Sequence, residues 1–275
     1  MAKVFTVDIA KCNGCYNCQL ACKDEHADND WRPYAAPQPE TGHFWVKLHE
    51  FVGGTIPKVK IHYEPRLCNH CENPACAAAC KHGAYYRRDD GFLILDPTKC
   101  TGCRECETAC PYSAIYFNEA QSVCQKCTGC AHLLDHGHTL PRCVDACPTD
   151  ALGFGEEADL QDFIIGAEVL KPETAGAPKV YYRNRPGRFI GGTVYDPVEE
   201  DVLEGAKVRA TIGGKTYSTV TDEFGDFWFT DLPTGKYNLV LEAKGFEYKV
   251  FDVVDATAAD NHGVNLGDIP MERKA

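Results

Sequence analysis

The sequence predicts an α+β chain that joins a repetitive, cysteine-rich part to an all-β part. Three observations support this prediction. All 17 cysteines lie between Cys12 and Cys147. They fall into four runs of similar spacing, which indicates a repeated structural unit. From Phe189 onward, short segments of alternating apolar and polar residues are separated by glycine-containing turns, and this pattern predicts strands.

The most regular run is Cys100-x2-Cys103-x2-Cys106-x3-Cys110, followed by Pro111. Three thiolates at steps of three lie on one tight loop and can hold three corners of a cubane. The fourth thiolate comes after a longer step, where a helix starts and the chain has turned away. Zinc sites use two cysteine pairs, or cysteine with histidine, from separated knuckles. The spacing therefore indicates ligands of 4Fe–4S clusters.

The other three runs repeat this spacing with changes. They are Cys12-x2-Cys15-x2-Cys18-x3-Cys22, then Cys68-x2-Cys71-x4-Cys76-x3-Cys80, and a split run of Cys124-x2-Cys127 with Cys143-x3-Cys147. Lys23 and Lys81 follow the last cysteine of the first two runs, where the other two runs have proline. These departures leave the ligands intact. Sixteen cysteines are assigned in this way.

The gap in the split run leaves a second interpretation open. It contains Cys130, His132, His136 and His138, so Cys127, Cys130, His132 and His136 could form a zinc site. The fourfold pattern favours Cys124 as the ligand instead. Cys130 is then expected to be a packed thiol that binds no cluster, and the histidines are expected to face solvent.

Composition and charge exclude several classes of function. The formal net charge is −12, which disfavours binding to nucleic acid. No run of about 18 apolar residues is present, so no membrane segment is expected. Residues 1–8 show neither an apolar signal segment nor a twin-arginine motif. A reducing compartment, the cytoplasm, with metal-bound thiolates is therefore expected rather than a disulfide framework.

Residues 1–155 are expected to form one domain. Its expected strands are Val4–Val7, a hairpin of Phe44–Phe51 and Lys58–Tyr63 around Gly53-Gly54, a hairpin of Ala84–Arg87 and Phe92–Leu95 across Asp89-Asp90-Gly91, then Ala114–Phe117 and Ala151–Phe154. The first and last of these strands are expected to pair and close the domain. Residues 26–66 are interpreted as an insert that acts as a lid over the core.

Residues 156–185 are expected to form a connector, with helical spacing over Asp159–Leu170. Residues 186–275 are expected to form an all-β sandwich or barrel of seven strands. The expected strands are Phe189–Tyr195, Ala206–Ile212, Lys215–Thr221, Asp226–Thr230, Tyr237–Ala243, Tyr248–Val253 and Gly263–Ile269. The segments Gly191–Asp196, Thr221–Gly225 and Leu232–Tyr237 resemble the carboxypeptidase-regulatory, transthyretin-like domain. No catalytic motif is present there, which indicates a structural or interfacial role.

The four runs, with strand–loop–helix–strand spacers, resemble two fused two-cluster ferredoxin units. In ferredoxins each run gives three cysteines to one cluster and its last cysteine to a partner cluster. The nested pairing that this analogy implies is Cys12, Cys15 and Cys18 with Cys147; Cys124, Cys127 and Cys143 with Cys22; Cys68, Cys71 and Cys76 with Cys110; and Cys100, Cys103 and Cys106 with Cys80.

A more specific resemblance covers residues 1–155. The segment Cys68-Asn-His-Cys-Glu-Asn-Pro-Ala-Cys76, the turn Arg88–Gly91 and the run Cys100–Tyr112 resemble the iron–sulfur electron-transfer subunits of molybdopterin oxidoreductases. The resemblance implies three to four 4Fe–4S clusters in this chain. It also implies a heterodimer with a large catalytic subunit, and no catalytic site in this chain itself.

With the β-domain appended, the chain resembles the transhydroxylase branch of that family. This resemblance implies a large subunit that carries molybdenum on two pterin guanine dinucleotides and transfers a hydroxyl group between trihydroxybenzenes. Three alternatives stay open. They are an electron-transfer subunit of a dimethyl sulfoxide, polysulfide or formate-type enzyme, a free ferredoxin with a binding module, and a zinc-organised interaction protein.

Overall fold

The computed structural model of the chain describes residues 2–258 and 262–274. Residues 259–261, which belong to the expected β-domain, lie outside the described residues. Spatial proximity of Cα atoms divides the chain into two compact units. The first comprises Met1–His49 and Tyr63–Arg185, and the second comprises Glu50–His62 and Pro186–Ala275. Residues 50–62 of the expected insert thus group with the β-rich end of the chain.

Most regular structure in the described residues is strand, and the helices are short. The helices are α1 Asn17–His26, α2 Ala75–Ala79, α3 Glu105–Ala109, α4 Ala131–Asp135, α5 Arg142–Asp145 and α6 Gln161–Ile164. The strands are β1 Lys3–Asp8, β2 Val46–Thr55, β3 Lys58–Leu67, β4 Tyr85–Arg87, β5 Leu93–Leu95, β6 Ile115–Asn118, β7 Val123–Lys126, β8 Leu152–Glu156, β9 Val180–Arg183, β10 Arg188–Asp196, β11 Asp201–Val202, β12 Lys207–Ile212, β13 Lys215–Val220, β14 Asp226–Leu232, β15 Gly235–Glu242, β16 Lys249–Ala256 and β17 Gly263–Pro270.

A three-stranded sheet closes the first unit. Strand β1 pairs antiparallel with β8, with Phe5 opposite Phe154, so the predicted pairing of the two ends of the cysteine-rich part is confirmed. On its other side β1 pairs parallel with β9, with Phe5 opposite Val180. Strand β9 was not predicted. It lies within the expected connector, which therefore contributes a strand to the sheet.

The helix predicted over Asp159–Leu170 is wrong in its length, since α6 spans only Gln161–Ile164. The helix ends before Gly166, whose φ is +81°. Ile165 is 70 % exposed and no residue of α6 is buried. Without an apolar surface to pack against, the amphipathic pattern does not extend the helix, because packing supplies most of a short helix's stability.

Stacked rings form part of the core of the first unit. Phe5 and Phe92 lie with ring centroids 5.6 Å apart, and the His70 ring lies 4.4 Å from Phe92. Both phenylalanine side chains are at most 1 % exposed. Gly129, at a φ of +63°, lies against the Phe92 ring, where an added Cβ would come within 2.6 Å. The core therefore packs directly against one of the cysteine loops.

Two hairpins follow the second and third cysteine runs. Strand β4 pairs with β5 across the predicted turn at residues 89–91, and β6 pairs with β7, placing Cys124 opposite Phe117. The first of these hairpins and the strand at residues 115–118 are confirmed predictions. Leu93, Leu95 and Ile115 join the buried cysteines of the adjacent runs in one apolar cluster. The hairpins thus form walls around the cysteine loops.

The β-rich part of the second unit contains eight strands in the described residues, β10–β17, in two four-stranded sheets. One sheet has β10 paired with β11, β14 and β17, and the other has the order β13-β12-β15-β16. Each of the seven predicted strands is confirmed, and β11 is additional. Ile190 and Phe227 from the first sheet and Val208 and Leu239 from the second belong to one buried cluster.

The hairpin of β2 and β3 forms, but its predicted turn is wrong. The turn lies at residues 56–57, and Gly53 and Gly54 lie inside β2. Gly54 has a φ of +83°, and a Cβ there would lie 2.1 Å from the Lys58 carbonyl oxygen. Gly54 therefore serves a close backbone approach to Lys58 within the hairpin, and neither glycine forms the reversal itself.

Candidate metal centres

Three sets of thiols each surround a small cavity. Cys12, Cys15, Cys18 and Cys147 line the first cavity, Cys68, Cys71, Cys76 and Cys110 line the second, and Cys80, Cys100, Cys103 and Cys106 line the third. These groupings coincide with three of the four sets implied by the ferredoxin analogy. Cys124 also lines the third cavity. All 17 cysteines are free thiols in the structure.

The loops that present these thiols repeat one local geometry. Gly14, Gly102 and Gly129 each lie two residues after a cysteine and have φ values of +76°, +73° and +63°. The Gly129 N–H donates to the Cys127 sulfur, and the Gly14 and Gly102 N–H groups act to lower the pKa of Cys12 and Cys100. For Gly129 and Cys127 the distance is 3.3 Å. Backbone donors of this kind stabilise thiolate ligands and tune cluster potentials.

The fourth set differs from the predicted one. Cys22 lies buried beside Cys130 and Cys127, and Cys143 lies beside the same three cysteines. Cys124 is not among these neighbours, since it lies beside Cys100 and Cys106 instead. The structure therefore brings Cys130 to the place expected for Cys124. The prediction that Cys130 lies outside the cysteine sets is corrected by this arrangement.

Cys130 takes the place expected for Cys124 because the fourth loop begins at Cys127. Residues 123–126 form β7, so Cys124 has extended backbone and cannot start a tight loop. The loop begins at Cys127, whose sequence Cys127-Thr-Gly-Cys130 repeats Cys100-Thr-Gly-Cys103. Gly129 lies two residues after Cys127, whereas no glycine lies two residues after Cys124, and this was the signal that spacing alone missed.

The histidines in the gap were expected to face solvent, but one of them does not. His136 and His138 are exposed, but His132 is only 2 % exposed. The His132 Nε2 atom lies 3.0 Å from a Glu25 carboxylate oxygen, and its ring stacks on Trp31 at 4.3 Å. Among the described residues, no three His, Cys, Asp or Glu side chains converge on a point suited to a single metal ion.

Burial keeps most of these thiols protonated in the absence of a metal. It raises the pKa of Cys18, Cys76 and Cys130 to about 12, and that of Cys127 to about 11. At Cys147 burial also opposes ionisation, but the backbone N–H groups of Leu152 and Thr149 outweigh it and hold the pKa below its ordinary value. A buried cluster of thiolates therefore requires metal charge to offset desolvation.

A buried cation lies between two of the sets. Lys126 is 2 % exposed, and its Nζ donates to the carbonyl oxygens of Leu93 and Cys127 at 2.6 and 2.7 Å. Its charge acts to lower the pKa of thiols in two sets, including Cys76 and Cys127. Since an oxidised cluster with four thiolates carries about two negative charges, this ammonium is placed to compensate part of them.

A buried hydroxyl gives a second indication that the sets fit clusters. Within the described part of the chain, the Tyr85 hydroxyl oxygen has no hydrogen-bond partner of good geometry. It lies close to the thiols of Cys76 and Cys106, which belong to two different sets. A buried hydroxyl without a partner is costly, and cluster sulfur would accept from it. The donor sets and this hydroxyl therefore fit 4Fe–4S groups.

A further cavity of the first unit is lined without any of the thiol sets. It has a volume of about 940 Å³ and lies beside residues 111–116, which follow Cys110. Trp45, Tyr112 and Tyr116 line it, and its charged lining residues are Lys47, Arg66, Glu168, Lys171 and Arg185. Arg66 and Arg185 both pair with the buried Glu64 carboxylate. No cysteine is among the described lining residues.

Fold and thiol sets together define a protein that holds several iron–sulfur clusters. Residues 59–157 match the family described as a 4Fe-4S dicluster domain, and residues 190–267 match the carboxypeptidase regulatory-like domain. Among the described residues, no helix has the length and apolar character needed to cross a membrane.

Comparison with curated proteins gives relatives over the whole chain and over its first part. The pyrogallol hydroxytransferase small subunit of Pelobacter acidigallici is 37 % identical, over 96 % of this chain and 97 % of that protein. One polypeptide of the anaerobic dimethyl sulfoxide reductase of Escherichia coli is 38 % identical, over 57 % of this chain and 75 % of that protein. The arsenate respiratory reductase iron-sulfur subunit ArrB of a Shewanella species is 30 % identical, over 64 % of this chain and 93 % of that protein.

The chain belongs to the family of iron–sulfur subunits of molybdopterin oxidoreductases, the family that includes the pyrogallol hydroxytransferase small subunit.

Proposed function

We propose that this chain holds four 4Fe–4S clusters as the non-catalytic subunit of a heterodimeric molybdenum enzyme. The observation that supports the proposal is the gathering of sixteen thiols into four separate sets, three of which include a loop with a glycine of positive φ two residues after its first cysteine. The proposed ligand sets are Cys12, Cys15, Cys18, Cys147; Cys68, Cys71, Cys76, Cys110; Cys80, Cys100, Cys103, Cys106; and Cys22, Cys127, Cys130, Cys143.

When bound, such clusters supply one-electron transfer. The chain's own residues hold and shield them. Gly129 donates its N–H to the Cys127 sulfur, the Gly14 and Gly102 N–H groups favour the thiolates of Cys12 and Cys100, and the buried Lys126 compensates negative charge. The core packs against the loops and excludes water from the fourth set, whose members are all buried: Cys22, Cys127, Cys130 and Cys143. Low exposure of this kind is one of the levers that set cluster potential.

The proposed partner is a large catalytic subunit that carries molybdenum on two pterin guanine dinucleotides. The proposed reaction is hydroxyl transfer between polyphenols. This proposal is supported by the share of the chain that each similarity covers. The similarity to the pyrogallol hydroxytransferase small subunit extends over 96 % of this chain, whereas that to the dimethyl sulfoxide reductase polypeptide covers 57 %. The C-terminal β-domain is therefore shared with the hydroxytransferase. We further propose that this domain is a transthyretin-like sandwich with an interfacial role.

Hydroxyl transfer between two polyphenols has no net electron demand. We infer that the clusters set the oxidation state of the partner's metal before turnover, or maintain the structure, rather than conduct electrons in every cycle. The proposed ligation of clusters by sixteen cysteines fits a reducing compartment, and we propose the cytoplasm.

The test is turnover by the complex purified anaerobically. It should interconvert pyrogallol and phloroglucinol, given a tetrahydroxybenzene co-substrate, without an external electron donor or acceptor. A second candidate is an electron-transfer subunit of a respiratory reductase, which the similarity to the dimethyl sulfoxide reductase polypeptide favours. In that case turnover requires a stoichiometric dye or nicotinamide, and the clusters cycle at the rate of catalysis.

A further inference from the structure

The cavity beside residues 111–116 is formed by several separate stretches of the first unit. Strands β2 and β3 form one wall, residues 111–116 form a second, and residues 167–172 with Arg185 form a third. Its volume of about 940 Å³ lies within the range of small-molecule sites, roughly 300–1,000 Å³. Stable protein interfaces are instead broad surfaces. The shape of the cavity therefore favours a compact ligand.

The cavity carries an excess of positive charge. Four lysine and arginine side chains line it, and Glu168 is the one carboxylate among the described lining residues. Glu168 pairs with Arg185 at 3.2 Å. The buried Glu64, outside the lining, pairs with both Arg185 and Arg66. Four cations thus face two carboxylates, in a chain whose formal net charge is −12. Such a local excess attracts anions.

Lys47 is the cation best placed to meet a ligand. It alternates along β2 with the buried Val46 and Leu48, so its side chain points away from the core. It is exposed and makes no ion pair with another described residue. His49 lies on the same face of the strand, and burial, followed by the charges of Arg66 and Lys47, holds the pKa of His49 below its ordinary value.

Aromatic side chains supply much of the remaining lining, and neighbouring residues hold them in place. The Tyr116 ring stacks on the His43 ring, with centroids 5.3 Å apart and planes 18° from parallel. The Tyr112 hydroxyl is hydrogen-bonded to the Thr174 hydroxyl at 3.1 Å. Trp45 is only 3 % exposed. Rings that are already fixed offer apolar faces to a flat ligand at little further cost in side-chain entropy.

We propose that this cavity is a binding site for a small planar aromatic ligand that carries carboxylate groups. The ring packs against the tyrosines of the lining, and the carboxylates bind Lys47 and Lys171. The two arginines of the lining are already engaged by Glu64. The Lys171 ammonium donates to the Pro111 carbonyl oxygen, which holds it at the wall and leaves its other N–H groups for a ligand.

The test is calorimetric titration of the anaerobically purified complex with naphthalenedicarboxylate, an aromatic dianion. Naphthalenedimethanol lacks the charges, and decahydronaphthalenedicarboxylate lacks the aromatic rings, so these two compounds are the matched comparisons. Two changes in this chain locate the site, since Lys47→Gln removes one charge and Ala167→Trp fills part of the cavity. Lys99→Gln is the control, because Lys99 is exposed and pairs with Asp96 outside the lining. Iron and sulfide content of each sample reports separately on the proposed clusters.

The aromatic dianion should bind saturably and more tightly than either comparison compound. Its affinity should fall about fivefold in Lys47→Gln, the effect of losing one charged contact at a solvent-exposed wall. Ala167→Trp should abolish binding, and Lys99→Gln should leave it unchanged.

Equal binding of either comparison compound would overturn the proposal, and so would an affinity that neither Lys47→Gln nor Ala167→Trp lowers. Absence of binding would overturn it as well. If Lys47→Gln then weakened association of the two subunits, the cavity would be a docking surface for the catalytic subunit rather than a small-molecule site.

Discussion

The thiol of Cys130 lies beside that of Cys22, in a buried group completed by Cys127 and Cys143. The two residues come from opposite ends of the cysteine-rich part of the chain. Cys22 is the last cysteine of the first run, and its run therefore contributes to two sets. This nested arrangement makes the fourth set dependent on folding of the whole first unit.

Replacement of Cys130 by alanine should therefore remove one cluster. The expected result is a loss of about four irons and four sulfides per chain, because one corner of a buried cubane loses its ligand. Chemical analysis of the anaerobically purified complex measures it. Cys124→Ala is the matched control, since it removes a buried thiol that completes no proposed set. Retention of all iron in Cys130→Ala would show that the fourth set is wrongly drawn.

The buried ammonium of Lys126 should stabilise both the fold and the reduced clusters. In Lys126→Met, two buried carbonyl groups lose their donor, which costs about 2 kcal/mol of unfolding free energy. Loss of the positive charge should also move at least one cluster potential to a more negative value. Denaturant titration and redox titration measure the two effects.

Lys81 provides the control for Lys126. Its side chain is 77 % exposed and pairs with Glu105 at the surface. Exposed ion pairs contribute little to stability, so Lys81→Met should leave the free energy of unfolding within error. Equal effects of the two changes would contradict a specific role for the buried charge.

The hydroxyl of Tyr85 should donate to cluster sulfur between two sets. Tyr85→Phe keeps the ring and removes the donor, so the iron content should stay complete while one potential becomes more negative. Tyr86→Phe on the same strand is the control, because neighbouring side chains of a strand point to opposite faces. If Tyr85→Phe shifts no potential, the hydroxyl has no role toward the clusters.

The C-terminal β-domain should fold without metal. Its buried cluster consists entirely of residues between Ile190 and Met271, and none of them is a cysteine. A fragment of residues 186–275 should therefore give a colourless β-rich protein with a cooperative thermal transition in circular dichroism. A fragment extended by the 50–62 hairpin should melt higher, because Lys58 pairs with Asp226 in this unit. A disordered fragment in both forms would show that the domain requires the rest of the protein.

Much of this architecture is encoded in local patterns. Alternation and turn residues predicted all seven main strands of the β-domain and the pairing of Val4–Val7 with Ala151–Phe154. The ferredoxin analogy grouped the cysteines of three thiol sets as the structure groups them around three cavities. Spacing failed at Cys124, because that residue lies in strand β7 and the glycine of the loop lies at Gly129, after Cys127. Strand β9 and the burial of His132 depend on tertiary packing, which no local pattern reports.

Elemental analysis decides whether the four sets of thiols hold four 4Fe–4S clusters. Iron, acid-labile sulfide and zinc are determined per chain in the anaerobically purified complex. Four occupied sets require a brown protein with about sixteen irons and an equal amount of sulfide, four of each per cluster. Stoichiometric zinc without sulfide would contradict this assignment.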